Sequence, residues 1–163
     1  MKLFNQVFAA TALSLAAILS NGHSAHAHEI KTGNLVIHHP WIRQPIGTTS
    51  MAAGYTTIDN TGNEDDTLLK VTIEKVSTVQ IHEMKMQGDV MKMGELPNGI
   101  LIPAHQSVSL KPKMDHLMLL GIKSGLMEGE QLQGTFNFAK AGIVKVDFEV
   151  VKPNTDMSDM KMK

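Results

Sequence analysis

From Asn34 to Val151 the chain alternates apolar and polar residues over short stretches, which clusters of Gly, Pro, Asn and Asp separate. A two-residue beat marks strands with one buried face, and no long segment keeps the 3.6-residue beat of a helix. "NLVIHHPWI" predicts an early strand in which Pro40, unable to donate a ladder hydrogen bond, marks an edge or a bulge. "AGYTTIDN" predicts a second strand and "NTGNEDD" the loop after it. "TLLKVTI" and "STVQIHEM" follow as strands, and "LPNGILIPA" carries an Asn98-Gly99 turn and a short apolar run that Pro103 ends. "SVSLKP" alternates up to Pro112, and "HLMLLGI" reads as a buried strand. "QLQGTFNFAK" puts Leu132, Phe136 and Phe138 on one beat, and "IVKVDFEVV" does the same with Val144, Val146 and Phe148. "SGLMEGEQ" is expected as a turn or a single helical turn. Regularly spaced short strands predict an all-β domain, an antiparallel sandwich or barrel.

The two ends fall outside this pattern. The run from Val7 to Leu19 is mostly Ala, Leu, Ile and Phe, follows Lys2, and ends in "SAHAHE". It is shorter than the about 20 residues of a membrane-spanning helix, and Ala25 and Ala27 form an A-x-A-like cleavage site. The expectation is a secretory signal peptide over 1–27, cut after Ala27, and a β-sandwich domain over 28–151. From Lys152 the sequence "KPNTDMSDMKMK" has no core pattern and is expected to form a flexible, Met-rich tail over 152–163.

Composition narrows the chemistry. A formal net charge of −1 with no basic cluster argues against nucleic acid and against an anionic membrane surface as partners. There is no cysteine. That excludes disulfide stapling, a thiolate nucleophile, Cys-ligated zinc and the Cys-dependent blue-copper site. The chain carries 12 methionines instead.

Four of these methionines crowd into "IHEMKMQGDVMKM", Ile81 to Met93. With Gln87-Gly88 as a two-residue hairpin loop, Met86 faces Asp89, Met84 faces Met91, and His82 faces Met93. Residues two apart share a face, so His82, Met84, Met86, Met91 and Met93 project together, opposite Glu83, Lys85, Val90 and Lys92. Directly opposed Cβ atoms lie about 4.5–5.5 Å apart, close enough for His82 and Met93 to share one metal ion. In "MDHLMLLG", His116 and Met118 share a face while Leu117 and Leu119 point to the core. If this strand lies beside the hairpin, two imidazoles and two thioethers converge. Such neutral, soft ligands suit Cu(I), whereas Ca²⁺ and Mg²⁺ want oxygen and zinc rarely takes thioether. A Met-rich face is also what a buried core uses to fill gaps, so the hairpin alone leaves both readings open.

The spacing His82, ten residues, Met93, 22 residues, His116-x-Met118 resembles the motif of the PCuAC family, the periplasmic CuA-assembly copper chaperones. The resemblance extends through "GNLVIHHPWIR", "AAGYTTIDNTGNEDDTL", "VQIHEMKMQGDVMKM", "IPAHQSVSLKP" and "HLMLLGI". The family's motif usually has one residue fewer between the middle Met and the second His; the extra one falls between Gly94 and Asp115. The resemblance implies a cupredoxin-like Greek-key β-sandwich holding one Cu(I) at a partly exposed site, with His82, Met93, His116 and Met118 as ligands. It also implies delivery to the CuA-bearing subunit of cytochrome c oxidase, alongside a Sco-type thioredoxin-like copper protein, by a periplasmic monomer that is not an enzyme. Met84, Met86 and Met91 match no ligand position of that motif; they pack locally or form a weak loading track for Cu(I).

Outside that motif, His28 would become the mature N-terminus, where its amino group and imidazole are candidates for Cu(II) at a secondary site. His38 and His39 read as strand-edge polar groups and His105 as a solvated loop residue. Met157, Met160 and Met162 lack apolar company and are candidate copper scavengers. Three competing functions stand beside the chaperone: a passive copper buffer, a histidine-brace copper enzyme built on His28, and a structural sandwich with a Met-rich core.

Overall fold

The computed structural model describes residues 29–154. The expected signal peptide, His28 and the tail residues Met157, Met160 and Met162 lie outside the described residues. Within them the chain forms eleven strands and no helix: β1 Glu29–Thr32, β2 Leu35–Arg43, β3 Met51–Asn60, β4 Asp66–Ile73, β5 Val76–Gln87, β6 Val90–Glu95, β7 Ile100–Ile102, β8 Ser107–Leu110, β9 His116–Ile122, β10 Gln131–Phe138 and β11 Gly142–Val151. "SGLMEGEQ" is irregular with a turn. The alternation that predicted the strands did not reveal β1, a short strand with only Ile30 packed toward the core.

The strands pair in the order β6-β5-β9-β3-β2-β11-β10-β4-β7, with β1 against β2 and β8 against β3. Pairing is antiparallel except where β11 returns to run parallel along β2. The ribbon folds into a sandwich because buried residues from both of its ends join one core. Ile81, Leu117 and Leu119 meet Leu68, Phe136 and Phe148 in the same cluster. Phe136 meets Phe148 edge-on at 5.7 Å and Phe138 at 6.1 Å. Gly134 makes room for this: a Cβ there would stand 2.8 Å from the Phe148 ring and 2.7 Å from the Thr72 carbonyl.

Pro40 marks a bulge, not an edge. The β2–β3 register shifts between His38 and Trp41, His39 takes a positive φ of 42°, and β2 has neighbours on both sides. The inserted residue flips the strand's parity, as a one-residue slip must. Leu35 and Ile37 face the main core before it, and Ile42 does so after it. Trp41 is thereby turned to the opposite face, where it packs on Tyr55 at 4.3 Å beside Val151. The same face of β3 carries Ala53, which is paired with Met118 of β9.

Candidate metal centre

The site lies where β5 leaves the sandwich. β5 pairs with β9 only through His82 and with β6 from His82 onward, so His82 is the last residue held on both sides. Its neighbour on β9 is His116, and its neighbour on β6 is Glu95. One step outward Met84 faces Met93, and the next step pairs Met86 with Met91; one step inward Gln80 faces Met118.

This register corrects the one read from the sequence. The hairpin loop is Gly88-Asp89, closed by Gln87 and Val90, not Gln87-Gly88. Gly88 takes φ +62° and Gln87 does not take a positive φ. A glycine at the first central position suits a type II′ turn, whereas the alternative would force Gln87 into a left-handed conformation. The pairing slips by two residues, so His82 opposes Glu95 instead of Met93. A slip of two conserves the face, and His82, Met84, Met86, Met91 and Met93 still project together.

The four residues singled out are close, but unequally. His82 and His116 oppose each other with ring centroids 5.6 Å apart at 65°. Met118 is half-buried next to His116 on the same face, while Leu117 and Leu119 are fully buried behind them. Met93 is diagonal to His82, at the about 7–8 Å spacing that long side chains bridge, and it is 53% exposed. Met84 is half-buried, opposite Met93 and two residues after His82. Met86 and Met91 are 62% and 50% exposed, farther out on the hairpin.

His82 is 9% exposed, and its Nδ1 is buried without a hydrogen-bond partner. An orphaned buried nitrogen is costly unless something occupies it. Its Nε2 lies 3.0 Å from Gln80 Oε1, and Gln80 Nε2 donates to Glu95 Oε2 at 2.9 Å. His116 Nδ1 is 2.8 Å from the Met114 carbonyl. Asp115 Oδ1 accepts the Met84 N–H at 2.9 Å and ties the start of β9 to β5. Burial first, then the neighbouring His116, hold the His82 pKa below its ordinary value, against an upward pull from Glu95. His82 therefore stays neutral, with a lone pair, to lower pH than a free histidine. No group of three or more His, Cys, Asp or Glu suited to a metal exists among the described residues. The further side chains on this face that could complete a site at His82 and His116 include thioethers, which suit a soft ion.

The other histidines among the described residues are engaged or distant. His38 Nε2 meets Asp59 Oδ2 at 2.8 Å, His39 sits in the bulge, and His105 is exposed. Sequence reasoning missed Gln80, Glu95 and Asp115. Gln80 was open to it, because it lies two residues before His82 on the same face; Glu95 required the correct turn.

Residues 35–150 match the family described as "Putative lipoprotein LpqE-like". Among curated proteins, the chain is 33% identical over 102 residues to "Uncharacterized protein RP573" of Rickettsia prowazekii, a match covering 61% of this chain. It is 30% identical over 91 residues to "Putative lipoprotein Lxx21020" of Leifsonia xyli subsp. xyli, covering 56% of this chain. The chain spans 56% and 55% of the lengths of these two relatives. Among solved structures, the apo PCuAC domain from PmoF1 superimposes with a TM-score of 0.67 at 32% identity, over 77% of this chain and 100% of that one. The copper-bound PCuAC domain from PmoF2 gives 0.66 at 28% identity, over 77% and 99%. The CuI form of DR1885 from Deinococcus radiodurans, at 22% identity and a TM-score of 0.60 over 83% of this chain and 87% of that one, shares the fold. The sandwich is cupredoxin-like, and the chain belongs to the LpqE-like, PCuAC-type family.

Proposed function

We propose that this protein is an exported copper metallochaperone that carries one Cu(I) on His82, Met93, His116 and Met118 and passes it to another protein without redox turnover. The observation that carries the reading is the buried, unpartnered His82 Nδ1 beside a second imidazole at 5.6 Å, on a face that also carries the thioethers of Met84, Met93 and Met118. Neutral ligands leave the ion its charge and need lose no proton to bind it, unlike thiolates. Met93 is exposed on an edge hairpin, so a partner's ligand can replace it first. The PmoF2 domain, which is copper-bound, supports the choice of metal.

The acceptor in this reading is the CuA-bearing subunit of cytochrome c oxidase, with a Sco-type protein as co-worker, and the compartment is the periplasm. A relative named as a lipoprotein supports export, and among the described residues no helix is long and apolar enough to cross a membrane. The test is Cu(I) transfer from the purified, loaded protein to an apo CuA domain, followed by the CuA absorption bands after oxidation. Transfer faster than from a small-molecule Cu(I) chelate of equal affinity supports the chaperone. Equal rates favour the second reading, a copper buffer, for which the exposed Met86–Met91 pair speaks.

A further inference from the structure

The tautomer of His82 is decided by a chain of hydrogen bonds that starts on β6. Glu95 offers carboxylate oxygens, which accept, and the group 2.9 Å from Oε2 is the Gln80 amide nitrogen, which donates. That orients the Gln80 side chain, so its carbonyl oxygen faces His82 Nε2 at 3.0 Å. An oxygen acceptor at this distance requires a proton on Nε2. A neutral imidazole carries one N–H, so the lone pair is on Nδ1, the nitrogen left buried and unpartnered. At His116 the order is reversed. The Met114 carbonyl 2.8 Å from Nδ1 can only accept, so Nδ1 carries the proton and Nε2 the lone pair.

We propose that Gln80, held by Glu95, is a positioning residue that locks His82 as its Nε2–H tautomer, so that the two imidazoles meet a metal through different nitrogens, Nδ1 of His82 and Nε2 of His116. The metal half of this rests on the copper reading above; the tautomer half does not. Both partners come from the strands that carry the site. Gln80 lies two residues before His82 on β5, and Glu95 lies across from His82 and two residues after Met93 on β6. Closing the hairpin in its correct register therefore also sets the imidazole's lone pair. Outer partners of this kind orient a ligand ring and raise its basicity, and their loss commonly lowers metal affinity about 10–100-fold.

The experiment is long-range ¹H–¹⁵N correlation on the histidine rings of the full exported chain, first without copper, at alkaline pH where both rings are neutral. The expected pattern is Nε2–H with unprotonated Nδ1 at His82 and the reverse at His116. Gln80→Leu should turn His82 into a mixture of tautomers, and so should Glu95→Leu, which leaves the Gln80 amide free to turn over. On adding Cu(I), the nitrogens that shift should be Nδ1 of His82 and Nε2 of His116, and Gln80→Leu should bind Cu(I) about 10–100-fold more weakly. Protonated Nδ1 at His82 in the copper-free wild type overturns the proposal, and that measurement depends on no variant folding. So does a Gln80→Leu protein with unchanged tautomer and affinity. If the copper-free pattern is as stated but Cu(I) moves neither ring, the tautomer lock stands and the copper reading falls.

Discussion

Met84 and Met93 are cross-strand neighbours, yet the site asks different things of them. Met84 is half-buried, two residues after His82 on the same strand and opposite Met93. Met93 is largely exposed, so folding depends little on it. Met93→Ala is expected to weaken Cu(I) binding at least about tenfold, equivalent to about 1.4 kcal/mol, with unchanged thermal stability of the copper-free protein. Met84→Ala should change affinity by less than about threefold. A competition titration with a Cu(I) chromophore compares them, and the reverse ranking would make Met84 the ligand. The His82 imidazole adds a pH signature. Its pKa is depressed in the folded chain, so below the ordinary value of about 6.5 the unfolded chain binds the proton more readily. Its contribution to stability is thus complete above that value and is lost as pH falls through the folded-state pKa. Cu(I) affinity should likewise fall in acid only as imidazole nitrogen is protonated, since thioethers do not titrate. An affinity unchanged between alkaline and acidic solution contradicts this.

At the scale of the hairpin, glycine placement outranks side-chain chemistry. Gly88 supplies the one positive φ in the loop, and an L-residue there costs about 1–2 kcal/mol. β6 is an edge strand without a buried residue, so little else resists its opening. Gly88→Val is expected to speed amide hydrogen exchange across Val90–Glu95 and to weaken Cu(I) binding through Met93, while exchange in the β10–β11 pair stays as in wild type. Uniform acceleration in both places would mean that the hairpin unfolds only with the whole domain. The same residue explains what the sequence could and could not disclose. The face shared by His82 and the hairpin methionines was legible, because alternation survives any even slip. Which residues stand opposite was not: "QGD" admits two loops, and the backbone sign at Gln87, which is not positive, selects the one centred on Gly88-Asp89. Pro40 was legible as a disruption, but its parity flip, which carries Trp41 to the outer face, depends on pairing with β3. The Glu95–Gln80–His82 chain was hidden for the same reason, since it exists only once the register is known.

Across the whole molecule, the core and the site use opposite faces of the same two strands. Ile81 and Leu117 point inward, paired across β5 and β9, and the next residues, His82 and His116, point outward. The Phe136–Phe148 contact lies farther along the ribbon's pairing order, on β10 and β11, beyond β3 and β2. Two kinds of damage should therefore separate. Phe136→Ala empties the middle of the core and should cost about 3–5 kcal/mol of stability. The molecules that remain folded should bind Cu(I) within about twofold of wild type, because the rung that holds His82 and His116 is not rebuilt. Leu117→Ala should cost a comparable about 2–5 kcal/mol, but it removes the packing directly behind His116 and lets β9 shift against β5. Distances between ligands on two strands depend on that packing, so Cu(I) affinity should fall along with stability. The measurement is chemical unfolding of the copper-free proteins beside a Cu(I) titration under conditions where each is folded. If both variants lose affinity in proportion to stability, site geometry is a property of the whole sandwich; if neither does, the β5–β9 ladder alone holds the imidazoles and the core behind them is interchangeable.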